Sequence, residues 1–75
     1  MSKKGELKKA IAESERTLED LEQKRIRSQS AILYAYINQT TPPEEDNEIF
    51  NLYTQLIELE RKYLQSLQTE LENLK

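Results

Sequence analysis

Residues 38–48 read NQTTPPEEDNE, and this segment divides the chain into two arms of nearly equal length. It contains the only prolines of the chain, Pro42 and Pro43, while the only glycine is Gly5. Proline lacks the N–H that a helix interior needs, and it disfavours helical geometry in the preceding residue. The segment therefore predicts a break between two helices rather than one long kinked helix.

The chemistry of the break also predicts where the second helix begins. The sequence Thr41-Pro42-Pro43-Glu44 fits a capping box, with Thr41 as N-cap, Pro42 as the first helical residue and Glu44 as the third. Further acidic residues follow in the first turns, where the helix dipole stabilises negative charge. We therefore expect the second helix to begin inside this acidic segment.

Both arms are rich in Leu, Glu, Lys, Gln and Arg, which are good helix formers. Two helices joined by a short connection usually lie antiparallel. The predicted fold class is all-α: an antiparallel helical hairpin, or two-helix coiled coil, that forms a single domain over residues 1–75. Its expected segments are helix 1 over about residues 2–38, a loop over about 39–46, and helix 2 from a start between 42 and 47 to about 75.

The order of the charges supports this hairpin. Residues 1–38 contain eight Lys/Arg and six Asp/Glu, whereas residues 39–75 contain three and eight. Blocks of opposite charge would face each other in antiparallel order, which helps to define the alignment of the helices. In the first expected group, Lys8 and Lys9 face Glu70 and Glu72. In the second, Glu19, Asp20 and Glu22 face Arg61 and Lys62. In the third, Lys24, Arg25 and Arg27 face Glu58 and Glu60.

Apolar residues repeat at alternating steps of four and three along both arms, as in coiled coils. The long row of helix 1 comprises Leu7, Ile11, Ser14, Leu18, Leu21, Arg25, Ser28, Ile32 and Ala35. Its short second row comprises Ile26, Ser30, Leu33 and Ile37. The first row of helix 2 comprises Ile49, Leu52, Leu56, Leu59 and Tyr63. The second row of helix 2 comprises Phe50, Tyr53, Ile57, Glu60, Leu64, Leu67, Leu71 and Leu74.

Near the loop, where both helices have two rows, an isolated hairpin would bury one row and leave the other exposed. Contiguous exposed apolar surface marks interaction sites, and a chain of 75 residues has a marginal core of its own. We therefore expect the hairpin to complete a four-helix bundle, either by dimerisation or by binding a helical partner protein. The expected interface residues are Leu33, Tyr34, Tyr36, Ile37, Phe50, Tyr53 and Ile57.

Two consecutive members of the long row of helix 1 are polar, namely Arg25 and Ser28. Polar residues at such positions often define register or partner choice at some cost in stability. The alternative is a locally loose contact in which the arginine stem packs on apolar surface while its charge reaches water. The sequence alone does not distinguish between these two interpretations.

Several classes of function are not expected. The chain has no Cys and no His, a hairpin has no cleft, and the acidic run at 44–48 lacks the spaced ligands and glycine of a calcium loop. We therefore expect no enzyme activity, catalytic residue, metal, cofactor or small-molecule substrate. The pI of about 5.0 argues against nucleic acid as partner. The lack of a signal peptide and of a membrane span predicts an intracellular protein, cytoplasmic or nuclear.

The expected function is a non-enzymatic protein–protein interaction module, either a coiled-coil scaffold or adaptor, or a small chaperone or inhibitor. The alternative is a dimeric hairpin that regulates structured RNA by binding it through the basic face of helix 1. That face would include Lys8, Lys9, Arg16 and Lys24. The acidic balance of the chain favours the first function.

Overall fold

A computed structural model, which describes residues 2–74, confirms the all-helical hairpin. Helix α1 spans Lys3–Ile37 and helix α2 spans Glu44–Glu72, and the two pack against each other along a rod of 56 × 16 × 14 Å. Helix α1 begins after Ser2, whose Oγ accepts a hydrogen bond of 3.1 Å from the N–H of Gly5. That bond satisfies one of the N–H groups that lack a partner in the first turn.

Helix α1 ends in a left-handed turn that the sequence did not predict. Gln39 has a φ of 56°, its N–H donates to the carbonyl of Tyr36 at 3.1 Å, and the N–H of Thr40 donates to that of Ala35 at 2.9 Å. This pair of bonds is the Schellman motif, which usually has glycine at the left-handed position. The side-chain amide of Asn38 adds a bond of 2.8 Å to the carbonyl of Tyr34.

Helix α2 begins at Glu44, so the predicted capping box does not form. Pro43 is the N-cap, with extended backbone (φ −58°, ψ 134°) and no side-chain cap, and its carbonyl accepts the N–H of Asp46 at 3.1 Å. The predicted arrangement with Thr41 as N-cap is wrong because Pro42 precedes another proline. The ring of Pro43 disfavours helical geometry at Pro42, and the helix begins after both prolines.

Two ion pairs join the helices in antiparallel order. Arg61 lies 4.0 Å from Glu22, as predicted, and Lys3 lies 3.5 Å from Glu70. Lys3 thus takes the place of the two lysines that were expected to face Glu70. All four side chains are about half exposed or more, so these pairs help to define the alignment and add little stability.

Candidate interaction surfaces

The face of α1 that packs on α2 is the predicted long row. Each of its positions is buried or half-buried, including the polar members of the row, and among them Leu7, Leu18 and Ala35 are at most 8% exposed. Exposed positions separate the members of this row over most of the helix. One face of α1 therefore contacts α2 from the N-terminal end to the loop.

The face of α2 that packs on α1 differs from the prediction near the loop. Phe50 and Tyr53 are half-buried, and Ile57 is fully buried at 0% exposure. These three residues were expected on the exposed interface, and that expectation of exposure is wrong. They belong to the row that continues through Glu60, Leu64, Leu67 and Leu71, which we call the inner row.

Helix α1 packs on the inner row rather than on the first row of α2 because the inner row continues farther along the helix. The inner row continues beyond Tyr63, whereas the first row would continue at Ser66 and Glu70, which are polar. Neighbouring residues of a helix differ by about 100° in direction, so using different rows in the two halves would require a rotation of that size. A straight α1 with one continuous row is matched only by the inner row.

The single acidic residue of the inner row is matched across the interface. Ser14 is 3% exposed, and its hydroxyl donates a hydrogen bond of 2.6 Å to a carboxylate oxygen of Glu60. A partly buried carboxylate is costly unless it is hydrogen-bonded. Ser14 and Glu60, which each interrupt an apolar row, thus form a hydrogen bond with each other. This bond helps to define the alignment of α1 and α2.

The predicted register residues also lie between the helices. A guanidinium nitrogen of Arg25 donates to the hydroxyl of Thr54 at 3.4 Å, and its central carbon lies 5.7 Å from the ring centre of Phe50. Ser28 is 4% exposed. Arg25 therefore packs its stem in the interface and directs its charge to the ring and the hydroxyl. Its role in partner choice stays a prediction.

The first row of α2 is left without a partner within the hairpin. We call its members the α2 stripe: Ile49, Leu52, Leu56, Leu59 and Tyr63. Ile49 is half-buried, whereas Leu52 is 53% exposed, Leu59 is 63% exposed, and Leu56 and Tyr63 are also exposed. Their steps of three and four residues are those of a coiled-coil row. The stripe is therefore a coiled-coil face that no helix of this chain covers.

A second exposed apolar surface lies on α1 near the loop. We call it the α1 patch, and it comprises Ile26, Leu33, Tyr34, Tyr36 and Ile37, all of them exposed. Four of these residues were predicted at the interface, and the structure leaves each of them accessible. Whether they contact a partner stays a prediction.

The two surfaces lie on different sides of the hairpin. Ile49 of the α2 stripe lines a groove with Lys24 of α1, whereas Ile26 of the α1 patch lines a groove with Glu22 and Leu64. Residues 22 and 24 point about 200° apart around a helix. One flat partner surface therefore cannot cover both.

A column of one acidic, one neutral polar and one basic side chain borders the α2 stripe on its outer edge. Glu48, Gln55 and Lys62 are exposed and spaced by seven residues, so they lie in one column along the helix. The other edge faces α1, where the ammonium of Lys24 contacts a carboxylate oxygen of Asp20 at 2.9 Å. A hydrogen bond and the negative charge of Asp20 raise the pKa of Lys24 above its ordinary value of 10.5.

The basic face considered for RNA is dispersed. Lys8, Lys9 and Arg16 are exposed, while Lys24 is paired with Asp20. Acidic residues alternate with these side chains along α1. Phosphate binding depends on clustered positive charge, and the acidic residues among these side chains weaken it.

No protein-family model matches the chain, and no curated protein or solved structure does so either. Within residues 2–74, neither helix contains a stretch long and apolar enough to cross a lipid bilayer. Across the same residues, no group of three or more carboxylates is arranged so that it could hold a metal ion. The α2 stripe and the α1 patch are the two exposed apolar surfaces described above.

Proposed function

We propose that the protein is a non-enzymatic protein–protein interaction module, a coiled-coil scaffold or adaptor whose contact surface is the α2 stripe. A small chaperone or inhibitor that covers a partner's helix would use the same surface. The observation that supports this proposal is that the stripe has coiled-coil spacing and yet is exposed. A coiled-coil row is stabilised when a second helix packs against it.

The energetic gain from such packing is substantial for a chain of this size. Fully burying a leucine contributes ~1.5–3 kcal/mol, so burying the exposed half of Leu52, Leu56 and Leu59 would contribute about 2–4 kcal/mol. Tyr63 at the end of the stripe suits an interface because its ring is apolar and its hydroxyl is polar. A second hairpin packed here would complete a bundle of four helices, and a single helix would make a bundle of three.

The proposal is tested by placing charge on the stripe. Leu52→Glu together with Leu59→Glu should abolish complex formation, because both side chains would have to bury a carboxylate. The matched control is Gln65→Glu together with Gln68→Glu, which adds the same charge to exposed positions of α2 outside the stripe. Helix content by circular dichroism should be close to native in both double variants.

Complexes should be detected by chemical cross-linking from Lys62, which lies beside the stripe, followed by mass spectrometry of the cross-linked peptides. We expect Lys62 to cross-link to a second chain, of this or another protein, in the native and control proteins and not in the stripe variant. Cross-links that are identical in all three proteins, or absent from all three, would contradict the proposed function.

A further inference from the structure

The four aliphatic members of the α2 stripe have a spacing that is symmetric. Ile49, Leu52, Leu56 and Leu59 follow one another at steps of three, four and three residues, and this order is the same in both directions along the helix. We propose that the helix which packs on the stripe is α2 of a second copy of this chain, in antiparallel orientation. The inference rests on the proposed function and names the partner that the function leaves open.

The symmetric spacing determines which side chains meet. An antiparallel second copy presents its leucines at the same heights, so Ile49 lies against Leu59 of the second copy and Leu52 lies against Leu56 of the second copy. Each contact occurs twice because the arrangement has two-fold symmetry. Every layer formed by these four residues is apolar, as the row of a coiled coil requires, whereas Tyr63 at the end of the stripe lies level with Glu45 of the second copy.

The charges beside the stripe select this alignment. The column Glu48, Gln55 and Lys62 is centred within about one residue of the midpoint of the four apolar residues, so the same symmetry acts on both sets. In the antiparallel pair, Glu48 of each copy lies beside Lys62 of the other, and Gln55 lies beside Gln55. The column is thus complementary to itself when its direction is reversed.

Other alignments lose this complementarity. An antiparallel pair shifted by one heptad would place Lys62 beside Gln55 and leave Glu48 without an opposite charge. A parallel pair would place the column of one copy beside the inner edge of the stripe of the other copy. Gln55 would then face Glu60 of the second copy, and Lys62 would face Leu67 of the second copy. No pair of opposite charges forms in either case, which favours the centred antiparallel pair.

The inner edge of the stripe brings like charges together in this pairing. Asp46 and Glu60 would approach each other there, and both are acidic. Asp46 shares a groove with Lys24 and Arg27 of its own chain, and Glu60 accepts the hydrogen bond from Ser14. Each carboxylate therefore has a favourable neighbour within its own hairpin, which weakens the repulsion between Asp46 and Glu60 of the two copies.

Sedimentation equilibrium of the full chain tests the inference by reversing charges. The native protein should be a dimer. Glu48→Lys and Lys62→Glu should each weaken association by about tenfold, because each turns two attractive exposed pairs into repulsive ones. The double variant Glu48→Lys with Lys62→Glu exchanges the charges and should restore native affinity.

The matched control is Glu58→Lys, which makes the same charge change at an exposed position of α2 outside both edges of the stripe. It should leave the dimer unchanged. Helix content of every variant is measured by circular dichroism, so that unfolding is not taken for dissociation.

Two results would overturn the inference. A native protein that is helical and monomeric at all concentrations would exclude the second copy, and the proposed function would survive if Lys62 still cross-links to another protein. A dimer that both single variants weaken but the double variant does not restore would exclude the antiparallel alignment. Absence of both the dimer and any stripe-dependent cross-link would refute the inference and the proposed function together.

Discussion

Replacing Ile57 by alanine should destabilise the hairpin far more than the same truncation of Leu52. Both residues are aliphatic members of α2, and five positions separate them along the chain. Ile57 is fully buried against α1, whereas Leu52 on the α2 stripe is 53% exposed. The comparison therefore tests which row of α2 holds the hairpin together.

The size of the effect follows from the atoms removed. Ile57→Ala deletes three carbons, and at ~0.8 kcal/mol for each, with a cavity added, the loss is about 3 kcal/mol. Leu52→Ala deletes three carbons that are already half in water and leaves no cavity, so it should cost about 1 kcal/mol. A domain of 75 residues has a total stability of about 4–11 kcal/mol, so the larger loss removes a major part of it.

Urea unfolding followed by circular dichroism, at a low and a high protein concentration, measures both losses. The loss for Ile57→Ala should be nearly the same at the two concentrations. The loss for Leu52→Ala should grow with concentration, because association through the α2 stripe stabilises the native protein by mass action. Equal losses for the two variants at low concentration would refute the assignment of the inner row.

Three further changes have definite expected outcomes. Gln39→Gly should stabilise the protein by about 0.5–1 kcal/mol, since glycine adopts the left-handed backbone without strain, and a lower melting temperature would contradict this. Ser14→Ala should lower the free energy of unfolding in urea by about 1–2 kcal/mol, because it leaves Glu60 without its hydrogen bond. The double variant Ser14→Ala with Glu60→Leu should be at least as stable as the native protein. Arg25→Lys should lower the free energy of unfolding by about 0.5–1 kcal/mol, because an ammonium stacks less well on the ring of Phe50. An unchanged midpoint in urea unfolding would show that this contact adds no stability.

The interface of α1 could be predicted from the sequence because only one row spans that helix. Its steps of four and three continue even where Ser14, Arg25 and Ser28 replace apolar residues. The break at the two prolines gave the hairpin for a comparable reason, since the backbone of proline leaves few alternatives. For the row of α1 and for the proline break, the local sequence pattern was compatible with only one arrangement.

The interface of α2 could not be read from local spacing, because its two rows satisfy the same rule near the loop. The deciding signal is the polar pair at Ser66 and Glu70, where the first row ends while the inner row continues. Glu60 interrupts the inner row, but across the interface Ser14 donates a hydrogen bond to it. A sequence read helix by helix does not reveal such a compensation, since it depends on the alignment of both helices.

The turn after α1 was missed because no glycine marks it. Gln39 adopts the left-handed conformation at some energetic cost, and the Schellman hydrogen bonds and the packing of both helices compensate for that cost. The helix end therefore follows from tertiary structure. The predicted N-cap of α2 was wrong because the second of two adjacent prolines disfavours the helical geometry that a capping box requires of the first.

The division of α2 into two apolar faces has a consequence for how many partners the hairpin can bind. The inner row is occupied by α1 along its whole length, so the α2 stripe is free for an external helix, and the α1 patch lies on another side of the rod. A second copy bound to the stripe would leave Leu33 and Ile37 exposed in both copies. A dimer would then present two equivalent apolar surfaces, which is the arrangement that an adaptor or scaffold needs in order to bring two further partners together.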